Sequence, residues 1–223
     1  MSVYLHVGVP HAGTTYLSAS LGKNRKALRT AGVLYLRGRG GVDDVDDVAR
    51  RVRRHDGASV VGHELLGSAG ARQAAAAMTM FAGLEVHVVV TVRDPARQAV
   101  DAWQDGVRRG ERMSFEQFRR RPSEVEHALP DVLARWQPVV PRRRLHIVCC
   151  PPPSTPGVVL WQRFAAVVGF DPADIEPVLP GGLEPSLGTD ETDLLRRVNT
   201  ALDGRLRPRT TPSSRARATR SGC

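Results

Sequence analysis

Residues 3–21 read as a strand, a glycine-bounded loop and a helix, and this unit constrains the fold more than any other stretch of the chain. Val3-Tyr4-Leu5-His6-Val7 is an apolar β-type run, and Gly8-Val9-Pro10-His11-Ala12-Gly13-Thr14-Thr15 follows it. Leu17, Leu21 and Leu28 then recur at helical spacing. Glycines at both ends let the loop backbone curl so that successive N–H groups point inward, and the helix N-terminus adds partial positive charge. Thr14 and Thr15 add hydroxyl donors. The pattern G-x-x-x-x-G-T-T therefore predicts a grip on a phosphate-bearing nucleotide. A nucleoside-triphosphate loop has Lys where Thr14 stands, to meet the β- and γ-phosphates, so the chain departs from an ordinary ATPase or kinase.

The rest of the sequence repeats the alternation. Extended runs are expected at Val33-Leu34-Tyr35, Ser59–Gly62, Glu85–Val92 and Leu145–Cys149. Between them, Gly38–Gly41 reads as a loop, and Val45, Val48 and Val52 as the marks of an exposed, charged helix. An Ala-rich helix is expected over about 69–82. After Arg93-Asp94-Pro95 a helix runs on Ala99, Val100, Trp103 and Val107. Capping boxes at Ser114/Gln117 and Ser123/Glu126 start two more, and helices are expected near 157–168 and 190–203. Strands alternating with helices predict one α/β domain, residues 1–204, of P-loop type: a doubly wound, mainly parallel sheet flanked by helices. Ligands of such sheets bind beyond the carboxyl ends of the strands. Gly8–Thr15, His63-Glu64 and Arg93-Asp94 each follow a predicted strand, which places all three at that edge.

Charge adds less than its sum suggests. The chain of 223 residues carries a formal net charge of +9, but residues 205–223 hold six arginines and no acid, leaving +3 for the remainder. That tail lacks apolar periodicity and is expected to be disordered, with only its charge to suggest nucleic acid. Lys23 and Lys26 are the only lysines, so anion recognition falls to arginine. Every apolar run is shorter than the ~20 residues of a membrane span, and Met1-Ser2 leads straight into the first strand without a basic lead, so a cytoplasmic protein is expected. The cysteines at 149, 150 and 223 show no metal spacing and are expected to be buried thiols. The histidines at 6, 55, 87, 127 and 146 form no ligand spacing, and no metal is implied. Asp43-Asp44-Val45-Asp46-Asp47 reads as a solvated helix start.

Pro10-His11-Ala12-Gly13-Thr14-Thr15 resembles the P-K-x-G-T-T loop of sulfotransferases, which use 3′-phosphoadenosine 5′-phosphosulfate (PAPS). In that family the loop binds the 5′-phosphosulfate; an arginine in an R-D-P pattern after a later strand, with a serine eight residues on, holds the 3′-phosphate. Thr91-Val92-Arg93-Asp94-Pro95 supplies the arginine here. The likeness continues in Asn24-Arg25, Gly32–Tyr35, His63-Glu64, Trp103-Gln104, Trp161–Phe164, Ser186–Gly188 and Leu194–Asn199, as in a bacterial sulfotransferase-like group. The resemblance implies sulfuryl transfer from PAPS to a hydroxyl of a small molecule or carbohydrate, without a metal. It implies nucleotide contacts at Gly8, Pro10, His11, Ala12, Gly13, Thr14, Thr15, Arg93 and the serine position, here Asp101.

Two positions depart from the pattern. His11 stands for the loop lysine and can disperse charge on the departing phosphate oxygen only when protonated; a bound polyanion would raise its pKa. Asp101 stands for the serine. Three readings of it are open: it turns away to pair with an arginine such as Arg97, the nucleotide lacks a 3′-phosphate, or nucleotide binding is vestigial. Glu64 is the candidate base, with His63 as the second; a carboxylate capping the next helix is the plainer reading of Glu64. The acceptor is expected over the nucleotide site, against residues from 36–44, 106–125 and 150–157, with arginines 108, 109 and 112 offered to an acidic acceptor. A catalytically impaired nucleotide-binding descendant and a small P-loop kinase-like enzyme are the alternative functions.

Overall fold

The structure is a computed structural model that describes residues 1–38, 42–62, 66, 69–121, 129–152, 154–179 and 187–202, with no side-chain detail for 42–45. His63, Glu64, the Ser123/Glu126 capping box, Ser186 and the 205–223 tail lie outside the described residues.

Five strands, β1 (Ser2–Gly8), β2 (Val33–Arg37), β3 (Ala58–Gly62), β4 (Glu85–Val92) and β5 (Leu145–Cys149), form one sheet in the order β2-β3-β1-β4-β5. Every neighbouring pair is parallel, with Leu5 opposite Val61 and Val88, and Val90 opposite Ile147. The α/β fold is thus as the alternation predicts. The central strands are rich in valine, with Val86, Val88, Val89, Val90 and Val92 on β4, because both sheet faces are covered. On one face Val3, Leu5, Val7, Val86, Val88 and Val90 pack with α3 (Val42–Arg53), α4 (Ala71–Met80) and α7 (Leu129–Trp136). On the other, Tyr35, Val60, Val89 and Val148 meet α1 (Thr14–Lys23), α2 (Arg25–Thr30) and α8 (Val158–Val168), with Trp161 fully buried. A third cluster of Trp103, Val107 and Phe118 joins α5 (Pro95–Arg108) to α6 (Phe115–Arg119), with Leu195 of α9 (Thr189–Leu202) against it.

Three expectations need correction. The helix after the loop is two helices. Asn24 interrupts it by donating its side-chain amide to the Ser20 carbonyl (2.9 Å) and to the Glu176 carbonyl (2.7 Å), a bond to a distant segment. Helix α3 is charged, but Val48, Ala49 and Val52 are buried under the sheet rather than exposed. Cys149 is exposed and Cys150 half-buried, where buried thiols are expected. The reason is position: β5 is an edge strand, and Ile147, on the same face as Cys149, is 46% exposed.

His6 on β1 is buried, with Nε2 3.2 Å from Thr91 Oγ1 and its ring edge-on to Phe164. Burial lowers its pKa to about 4. Unfolded His6 titrates near 6.5, so the unfolded chain binds the extra proton between these values, and stability falls as pH drops through that window. The loss for His6 alone is about 3 kcal/mol at most. Burial also lowers His11, His87 and His146, which deepens the same slope. Urea midpoints are expected to fall steadily from pH 7 to pH 4, and less steeply in His6→Gln. An identical slope in the variant would show that His6 titrates alike in both states.

Candidate functional site

The loop after β1 is built against the end of β4. The Val9 N–H donates to the Thr91 carbonyl at 3.1 Å, and the Ala12 N–H turns back to the Val9 carbonyl at 3.3 Å. A Cβ on Gly8 would lie 1.7 Å from Thr14 Cγ2 and 2.8 Å from Thr91 Oγ1, so only hydrogen fits between the strand and the first helical turn. Gly13 has φ +78°, and a Cβ there would lie 2.4 Å from Leu160 Cδ2. The two glycines of the pattern are therefore fixed by close approach and, at Gly13, by a left-handed backbone.

His11 is also left-handed, at φ 62°, which costs a non-glycine residue about 1 kcal/mol. This conformation delivers the His11 carbonyl to Arg93, whose Nη1 donates to it at 3.3 Å. Gly13 caps α1 without a side-chain acceptor, and no acid lies in the first turn. The N–H groups of that turn therefore keep their capacity for an external anion. His11 is half-buried, and desolvation holds its pKa below the ordinary value. Asp105 and Asp101 pull it upward, while Arg109 and Arg93 push it further down. The imidazole is thus neutral at pH 7 in the free protein.

Arg93 follows β4 directly, and the helix after it is well begun: Asp94 accepts from the Arg97 N–H at 3.0 Å and Pro95 occupies the first position. Two turns along, Asp101 forms an ion pair with Arg93, the two side chains being 26% and 18% exposed. Asp101 does pair with an arginine, but with Arg93 rather than Arg97. Its carboxylate occupies the guanidinium that the resemblance assigns to a 3′-phosphate.

No family model matches the chain, and no curated protein matches it by sequence. Solved structures that do match include the crystal structure of mouse sulfotransferase SULT7A1 complexed with PAP, at 12% identity and TM-score 0.49. That match covers 89% of this chain and 64% of the other, so the chain spans under two thirds of its length.

Beside the loop lies a cavity of about 570 Å³ between Pro10 and His11, the Ala102, Gly106 and Arg109 side of α5, and the returning segment Gly110–Met113, Phe118 and Arg121. It includes part of the expected 106–125 wall, but none of the described residues of 36–44 or 150–157 lines it. Of the arginines named from sequence, 109 and 112 line it and 108 does not. Sequence reasoning missed Thr91 and Leu160 against the loop glycines and Ala102 in the cavity wall, whereas Glu111, Met113, Phe118 and Arg121 fall within the expected 106–125 segment. The Ser114/Gln117 capping box, confirmed at 3.2 and 2.9 Å, marks where the chain turns but not the surface it turns onto. Among the described residues no cluster of three or more His, Cys, Asp or Glu is placed to hold a metal.

Loop geometry gives a direct test. Gly13→Ala is expected to destabilise the fold by roughly 2–3 kcal/mol, from its positive φ and the Leu160 contact. Gly22→Ala, whose Cβ meets nothing within 4 Å inside α1, is expected to stabilise by about 0.5–1 kcal/mol. Denaturant unfolding of both variants checks the pair, and a harmless Gly13→Ala would refute the described loop.

Proposed function

We propose that this protein transfers a sulfuryl group from PAPS to a hydroxyl of a small molecule or carbohydrate. The observation that carries the reading is the loop: two glycines that admit no side chain, a left-handed His11 carbonyl held by Arg93, and a helix start free of acids and side-chain caps. The N–H groups of that helix start, with Thr14 and Thr15, suit the 5′ oxyanions of the donor. PAPS as substrate supplies an activated sulfuryl group on its 5′-phosphate. His11, neutral in the free protein, gains a proton as polyanion charge raises its pKa, and then offsets charge on the departing phosphate oxygen. Glu64, two residues beyond the end of β3 in sequence, accepts the hydroxyl proton, with His63 as the alternative. The acceptor oxygen bonds to sulfur as the sulfur–oxygen bond to the phosphate breaks, and adenosine 3′,5′-bisphosphate leaves.

The Arg93–Asp101 ion pair favours a second reading, in which a catalytically impaired descendant of that family binds a nucleotide lacking the 3′-phosphate. Two like unit charges ~4 Å apart repel by about 4 kcal/mol at an effective dielectric near 20. Solvent and Arg93 reduce this to a net penalty of roughly 1–2 kcal/mol, or about tenfold in affinity.

Calorimetry against adenosine 3′,5′-bisphosphate, AMP and ATP separates the readings. For the sulfuryl transferase, the bisphosphate binds more tightly than AMP. Asp101→Ser then raises bisphosphate affinity about tenfold and leaves AMP unchanged. Preference for AMP in the wild type, reversed by Asp101→Ser, selects the descendant. ATP binding more tightly than both would sink each of them and favour a kinase-like enzyme.

A further inference from the structure

The cavity beside the loop has a composition unlike the nucleotide cradle. Its apolar surface comes from Ala102, Gly106, Met113 and Phe118, and its lining carries three guanidinium groups, Arg109, Arg112 and Arg121, against the single carboxylate of Glu111. Its volume, about 570 Å³, falls within the range of small-molecule sites. Arg109 pairs with Asp105 along the helix, and Arg121 lies 3.9 Å from Glu111. Both pairs are solvent-accessible, so each arginine holds its partner weakly and retains donors for another anion.

The walls are held in place before any ligand arrives. Trp103 Nε1 donates to the Met113 carbonyl at 2.9 Å, and Asn199 Nδ2 donates to the carbonyls of Val107 (2.8 Å) and Glu111 (3.1 Å). Phe118 is buried with Trp103 and Val107, and the Trp103 and Phe115 rings lie 5.5 Å apart. A preformed cavity lined by both apolar groups and arginines selects molecules that have both an apolar body and a negative charge.

We infer that this cavity binds an anionic amphiphile, a small ring or chain compound bearing a carboxylate, sulfonate or phosphate. Its apolar body lies on Met113 and Phe118, and its anion meets Arg109, Arg112 and Arg121. His11 lines the same cavity, so a hydroxyl on this molecule faces the loop. The role of that molecule as sulfuryl acceptor rests on the function proposed above; its binding does not.

Fluorescence titration with 8-anilino-1-naphthalenesulfonate and its uncharged analogue N-phenyl-1-naphthylamine tests the inference. The anionic dye is expected to bind at one site at least tenfold more tightly than the neutral one. Arg112→Gln/Arg121→Gln is expected to weaken the anionic dye at least fivefold without changing the neutral one. Met113→Glu, which adds a carboxylate to the lining, weakens the anionic dye again, with circular dichroism confirming that both variants fold. Equal binding of the two dyes, or an anionic affinity unmoved by both variants, overturns the inference. If the dyes behave as expected but calorimetry shows no nucleotide binding, the cavity stands and the acceptor role falls. If the bisphosphate binds and the dyes do not discriminate, the inference fails and the proposed function stands.

Discussion

The site depends on the seam between β1 and β4. The two strands run in register from Ser2 opposite Glu85 to Gly8 opposite Thr91, and the first bond beyond the register, Val9 N–H to the Thr91 carbonyl, carries the pairing into the loop. From there the geometry follows in steps. Gly8 must lack a side chain because Thr91 and Thr14 press on it from both sides. His11 must be left-handed to return the chain toward α1, and its carbonyl then faces Arg93, the first residue past β4. Beneath this seam the neutral His6 meets Thr91, a buried polar contact that fixes the strand ends from below.

Most of the sheet was legible in the sequence for a physical reason. Parallel strands covered on both faces need continuous apolar runs, and Val86, Val88, Val89 and Val90 leave little other use for such a stretch. The loop after β1 was legible because its glycines answer to local sterics. Features set by distant partners were not. Asn24 breaks a helix through a bond to Glu176, and Cys149 is exposed at the end of an edge strand. The pairing of Asp101 with Arg93 rather than Arg97 turns on how the start of α5 faces the loop, which spacing along one helix does not encode. The cavity was half legible: residues from 106–121 line it as expected, whereas the described residues of 36–44 and 150–157 do not.

The charge arrangement makes Asp101 the most consequential acid at the site. With only two lysines, the chain relies on guanidinium groups, and those at the site already meet acids: Arg93 with Asp101, Arg109 with Asp105, Arg121 near Glu111. An incoming anion therefore competes with carboxylates rather than with water alone. The two outer pairs are accessible and yield readily, but the Arg93 pair is the more buried, so exchange there costs more. This gradient separates a permissive outer cavity from a demanding inner subsite.

The two hydrogen bonds from Asn199 to the carbonyls of Val107 and Glu111 also bear on the order of assembly. The five strands of the described sheet are complete by Cys149, so the sheet can pair while the last third of the chain is still being synthesised. The cavity wall cannot close until α9 has left the ribosome and docked on α5. The nascent protein therefore acquires the loop between β1 and α1 before its cavity, and a chain cut short ahead of α9 would emerge with the loop alone.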